Sequence, residues 1–296
     1  MTAPDLPRLT LDRRSTLADL VRASITDSVR SLLDNDAVVR IGHDPEGVHQ
    51  ARVATRRLRS DLRTFRPILD RTWSEPLRTE LAWLGALLGH VRDADVLLGR
   101  ITAKADGLSA NRQIPFQTLV DRMEGTRARD RAVLLEAMRS PRYASLLDRL
   151  VEAAGSPRLR DGYEVLRAKR SAPRLARGPW KRLRATVHRL PDEPSNPELH
   201  EVRIRAKHAR YAFEAIAPVV GGHAKRTAHR LAELQDLLGE QHDAIVAIAW
   251  LHDAATDTPE PEVAFIAGEI AGSFVTDARA LLGSWRTAWK RVKHSV

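Results

Sequence analysis

Cysteine is absent from the 296-residue chain, which excludes disulfides, thiolate zinc sites, iron–sulfur clusters and cysteine nucleophiles. Aromatic residues, the stacking platforms of single-strand binders, make up only 5%. No run of about 18 apolar residues occurs, so a transmembrane helix is not expected. The opening MTAPDLPRLTLDRR lacks the apolar core of a signal peptide, and the expected location is cytoplasmic. No alternating apolar–polar segment of strand type is evident. Neither a phosphate-cradling glycine loop nor a nucleophile elbow is present.

What remains is a chain with 43% apolar residues, enough for a core, and a net charge of +10. Residues 1–150 hold 25 basic and 20 acidic side chains and residues 151–296 hold 23 and 18, so each half carries +5. The even split argues against a basic tail on a neutral body and for a basic surface built into both halves. Since 41 of the 48 cations are arginine, total charge partly reflects composition, and the position of the charges has to decide their meaning.

Apolar residues recur at helical spacing, as in Leu17, Leu20, Val21, Ile25, Val29 and Leu32. The expected fold is all α, with about eight to ten helices. Prolines after Asp44, Glu75, Ile114, Ser140, Gly178 and Asn196 suggest helix starts. A first helical half over about 10–150, a connection over about 155–178 and a second half over about 179–294 follow from the distribution of breakers.

Two motif pairs repeat in order. Val48-His49-Gln50-Ala51-Arg52-Val53-Ala54-Thr55-Arg56 matches Leu199-His200-Glu201-Val202-Arg203-Ile204-Arg205-Ala206-Lys207 at an offset of 151, and Leu88-Gly89 through Asp93 matches Leu238-Gly239 through Asp243 at an offset of 150. On a helix, His49, Arg52, Arg56, Arg59 and Arg63 share a stripe roughly 80° wide, beside an apolar face formed by Ala51, Ala54, Leu58, Leu62 and Phe65. His200, Arg203, Lys207 and Arg210 repeat the phase, with Glu214 in the fifth place. Aligned cations repel one another, and arginine forks match phosphate oxygens, so the repeated stripe points to an extended polyanion. Lys181 and Arg184, and Lys225, Arg226 and Arg230, are further cations that could extend the surface. Asp93 and Asp243, equivalent in the repeat, are candidates to hold guanidinium groups in place. His242-Asp243, with His200, His208 or Asp253, could alternatively suggest a metal phosphohydrolase. The first-half counterpart Arg92-Asp93 puts a cation in that slot and opposes a metal there.

At these motifs the sequence resembles the CHAD family, the conserved histidine α-helical domain. DPEGVHQARVATRRLRSDLRTF from Asp44, LLGHVRDADVLL from Leu87, LHEVRIRAKHARYAFE from Leu199 and LAELQDLLGEQHDAIVA from Leu231 are similar to its four signature segments, in order. The resemblance implies two antiparallel four-helix bundles related by a pseudo-two-fold, with basic helices around a central groove or pore. It further implies binding of inorganic polyphosphate, association with polyphosphate granules, and a possible polyphosphate-metabolising enzyme as partner. The Glu-x-Glu-x-Lys strand of the hydrolase domain that often accompanies the family is missing, since Glu260-Pro261-Glu262 is followed by Val263-Ala264. A standalone, non-catalytic binding protein is thus expected, without cofactor or metal. Nucleic-acid binding is the rival reading, and the phosphohydrolase a weaker one.

Overall fold

The computed structural model describes residues 6–105 and 108–296. Among the described residues the regular structure is helical: α1 (Leu17–Ile41), α2 (Pro45–Phe65), α3 (Arg71–Lys104), α4 (Ala110–Arg139), α5 (Pro141–Gly155), α6 (Ala168–Ser171), α7 (Pro173–His188), α8 (Asn196–Val220), α9 (Gly222–Asp257), α10 (Pro261–Leu282) and α11 (Trp285–Lys293). Nine of these reach 15 residues, and only α6 and α11 are shorter. Their ends are written in the sequence. Thr16 and Asp19 close a capping box on α1, which stops at Gly42 with φ 77°, a left-handed value that favours glycine. The Asp44 carboxylate accepts the Glu46 N–H at 2.8 Å, and Pro45 supplies the first turn of α2.

The repeat extends beyond its motifs. Helices α8, α9 and α10 begin 196 − 45, 222 − 71 and 261 − 110 residues after α2, α3 and α4, which is 151 in each case. Helix α2 packs on α8, α3 on α9 and α4 on α10, while α1 reaches α8 and α2 reaches α7. Contacts of α2, α3 and α4 with their own equivalents, and the matched pair α1–α8 and α2–α7, are the pattern that a two-fold axis produces.

Three of the prolines expected at helix starts lie within helices instead. Pro76 falls inside α3 because Asp70, accepting from Thr72 N–H at 2.8 Å, starts the helix earlier. Pro115 and Pro179 are likewise inside α4 and α7. In consequence the irregular part of the connection is shorter than 155–178, running over 156–167 before α6 and α7 take up the chain. Arg160 N–H to Ile68 O (2.9 Å) and Ala168 N–H to Ser15 O (3.0 Å) strap it to the first half.

The apolar interior divides along the length of the molecule and not between the repeats. One core takes Leu20, Leu58, Leu84 and Leu146 from the first half and Leu183, Val202, Leu234 and Trp285 from the second. The other gathers Ile101, Leu119 and Met123 with Leu251, Ile266 and Phe274. On α3 the first core ends at Val91 and on α9 at Leu238, while the second resumes at Leu97 and Ala244. The interval carries Arg92-Asp93 and His242-Asp243. Charge can be held there because no apolar layer has to close over it.

Candidate functional site

In that interval lies a cleft of about 380 Å³, where the two basic stripes meet. Helix α2 contributes His49, Arg52 and Arg56, α8 contributes Arg203 and Lys207, α3 contributes Arg92, Asp93 and Arg100, and α9 contributes His242 and Asp243. Val53, Val96, Leu97 and Val246 form the apolar part of the wall. His200, one turn before Arg203, stacks beside His242 with ring centroids 4.6 Å apart and Nδ1 atoms at 3.3 Å.

Glycines set how closely the arginines lie. A Cβ on Gly89 would stand 2.8 Å from Arg52 Nη1, so a larger residue there would make the guanidinium shift from its place across α3. At the equivalent Gly239 the nearest atom, Arg203 Nε, would be 3.8 Å away, which is ordinary contact. Arg52 then meets Asp93 at 3.1 Å. Asp243 does not pair with its own repeat's Arg203. It lies 3.4 Å from Arg100, which also binds Glu240 at 2.8 Å and so ties α3 to α9.

The cleft holds six fixed cations, Arg52, Arg56, Arg92, Arg100, Arg203 and Lys207, against two carboxylates. Burial first, and the neighbouring cations after it, are legible in the acid–base chemistry. Burial, then Arg203, Arg56 and Arg52, push the Lys207 ammonium down to about 8. Burial and Arg203 take His242 down to about 4. His49 is lowered by burial and Arg92, and His200 by burial and Arg203. Arg56 Nε and Arg203 Nε are buried with no hydrogen-bond acceptor among the described residues. Donors and charge are both in excess, a state that an anion would relieve.

The stripes do not stay together along their whole length. Arg59 leaves the cleft, lies 3.6 Å from the place a Cβ on Gly85 would take, and is lowered by burial and by Arg78. Arg63 lines a separate cleft with His208. Arg210 is bound by Glu214 at 2.7 Å and lines another, open cleft. Lys181 and Arg184 are exposed on α7, Arg226 is exposed on α9, Lys225 lines an open surface beside Arg210, and Arg230 pairs with Glu233 at 2.8 Å. None of these five lines the central cleft. Arg92, Arg100 and His242 are the cleft residues that the basic stripe does not include. Extending the helical phase from Asp93 by seven residues reaches Arg100 on the same face, a signal available in the sequence. The metal grouping does not assemble: His208 lies with Arg63, and Asp253 is an exposed neighbour of His252. Among the described residues no three His, Cys, Asp or Glu side chains are placed to hold a metal ion. No helix among them is long and apolar enough to cross a membrane.

A sequence model of the CHAD domain matches residues 23–252. Two uncharacterized proteins of Mycobacterium tuberculosis, from strains CDC 1551 and H37Rv, are 31% identical over 242 residues. The match takes in 78% of this chain but 44% of each relative, so the chain spans less than half their length. Among solved structures, the CHAD domain from the plant Ricinus communis is similar with a TM-score of 0.71 and 26% identity, covering 96% of this chain and 98% of that one. PptA from Streptomyces chartreusis shares the fold with a TM-score of 0.78 at 24% identity, over 93% of this chain and 100% of that one.

Proposed function

Because the chain belongs to the CHAD family, we propose that its central cleft binds inorganic polyphosphate and holds it without cleaving it. One observation carries the reading: stripes from two helices 151 residues apart in the chain supply four cations to a single cleft, where, with Arg92 and Arg100 of α3, cations outnumber carboxylates six to two. An anion with closely and regularly spaced charges offsets that excess at many points at once, and arginine forks suit its oxygens. Arg52, Arg56, Arg203 and Lys207 would make the main contacts, flanked by Arg92, Arg100 and the rings of His49 and His242. No Phe, Tyr or Trp lines the cleft, which favours polyphosphate over single-stranded nucleic acid, whose bases need faces to stack on. Asp93 and Asp243 are engaged with Arg52 and Arg100, which supports a positioning role and not catalysis for them. Such a protein would associate with polyphosphate granules or present the polymer to a polyphosphate-metabolising enzyme. Competition between long-chain polyphosphate and single-stranded DNA of matched charge is the test, with phosphate release followed in the presence of Mg²⁺ or Mn²⁺. Preferential binding of polyphosphate without release is expected. Preference for DNA, or turnover lost in Asp243→Ala, would overturn the reading.

A further inference from the structure

Seven residues beyond Arg56 on the same face of α2, about 10 Å along the helix, Arg63 opens onto a second cleft. This cleft of about 150 Å³ is lined by Arg63, Arg174, Arg182 and His208, with Ser60 and Thr64 from α2, and no carboxylate is among its lining residues. An Arg63 Nη donates to His208 Nε2, so the imidazole serves as an acceptor and both side chains line the cleft. The His208 ring is kept neutral, pushed down to about 4, by burial and by Arg63, Arg205 and Arg182. Arg182 lies along α7 where Gly178 leaves room, 3.4 Å from the place a Cβ would occupy.

The equivalent place in the other repeat is built with opposite charge. Residue 63 + 151 is Glu214 and residue 57 + 151 is His208, so Arg63 and His208 on one side correspond to Glu214 and Arg57 on the other. There Glu214 binds Arg210 at 2.7 Å and lies 3.6 Å from Arg57, and the adjoining cleft adds Asp27 and the buried Asp61. Asp61 accepts from Ser24 Oγ at 2.7 Å. A phosphate chain leaving the central cleft meets three arginines and no acidic side chain towards α7, whereas towards α1 Glu214 and Asp27 stand beside Arg57.

We propose that the cleft formed by Arg63, Arg174, Arg182 and His208 is a second phosphate-binding site, through which a bound polyphosphate chain leaves the molecule on the α7 side. The direction of exit rests on the central cleft being the polyphosphate site, whereas the affinity of the second cleft for a phosphate group does not. Two measurements separate them. In the first, pyrophosphate is titrated into the full chain and the His208 ring C–H resonance, assigned by its loss in His208→Gln, is followed by NMR. A saturable shift is expected, absent in Arg63→Ala/Arg182→Ala. A resonance that does not move, or moves equally in the double variant, overturns the site. In the second, long-chain polyphosphate binding is compared between the two proteins. The double variant should bind at least about tenfold more weakly and with a shallower salt dependence, as lost phosphate contacts require. If the unaltered protein binds the polymer and the double variant binds it equally well, the exit path is wrong and the central reading stands. If the unaltered protein binds no polymer, the central reading fails, the exit path fails with it, and the pyrophosphate titration alone decides the second site.

Discussion

A hydrogen atom in place of a methyl group at Gly89 leaves Arg52 room to lie across α3, since a Cβ there would come within 2.8 Å of Nη1 and displace the guanidinium. Alanine in mid-helix is intrinsically better than glycine by about 1 kcal/mol, so the substitution separates site geometry from stability. Gly89→Ala should keep or raise the melting temperature while weakening polyphosphate binding about three- to tenfold. Gly239→Ala, with 3.8 Å of clearance, should raise stability and leave binding unchanged; calorimetry and a binding isotherm check both. Lys207 gives a second residue-scale test. Its folded-state pKa of about 8 lies below the ordinary 10.5, so its charge opposes folding fully below about pH 8, less between 8 and 10.5, and not above. Lys207→Met should therefore stabilise the ligand-free protein at pH 7 by on the order of 1–3 kcal/mol, an advantage that fades as pH rises through that window. Denaturant unfolding at pH 7 and 10.5 measures it. The same variant should bind polyphosphate more weakly at pH 7, the opposite sign to its effect on stability.

At the scale of elements, α9 serves two cores and the cleft between them. Leu251 is fully buried in the second core. Leu251→Ala should cost about 2–5 kcal/mol, read from denaturant unfolding, yet leave polyphosphate affinity within about twofold at temperatures where the protein stays folded. A large affinity loss in the folded variant would show that the far core holds the cleft open. The stripes on α2 and α8 were legible in the sequence because burial and charge both follow the helical period, and the offset of 151 marked them as equivalent. Less legible was where each stripe leaves the cleft. Phase along one helix cannot say which neighbour faces Arg59, Arg63 or Arg210; those partners, Arg78, His208 and Glu214, come from other helices or the next turn. Prolines misplaced the starts of α3, α4 and α7, since caps such as Asp70 outweigh a proline several residues inside. The stacking of two cores across the repeats was not legible either, because periodicity reports that a face is buried and not against what.

For the whole molecule, a core shared by both repeats means that neither half closes its own interior. Residues 1–155 expressed alone should be insoluble, or soluble without a cooperative unfolding transition and with weak polyphosphate binding. A cooperatively folded half with full affinity would contradict the shared core. Total charge is the remaining competitor to specific placement, because any protein of net charge +10 attracts polyanions at low salt. The most direct test compares Arg52→Glu/Arg56→Glu/Arg203→Glu with Arg13→Glu/Arg71→Glu/Arg139→Glu, whose three positions are exposed and outside the cleft. Both variants move the net charge equally, and circular dichroism establishes that each remains helical. Measured against long-chain polyphosphate at physiological salt, the cleft variant should lose binding and the surface variant should stay within about tenfold of the unaltered protein, because each lost charge-assisted contact removes roughly 1.5–3 kcal/mol. Equal losses in the two folded variants would contradict the account and leave only a generally basic protein.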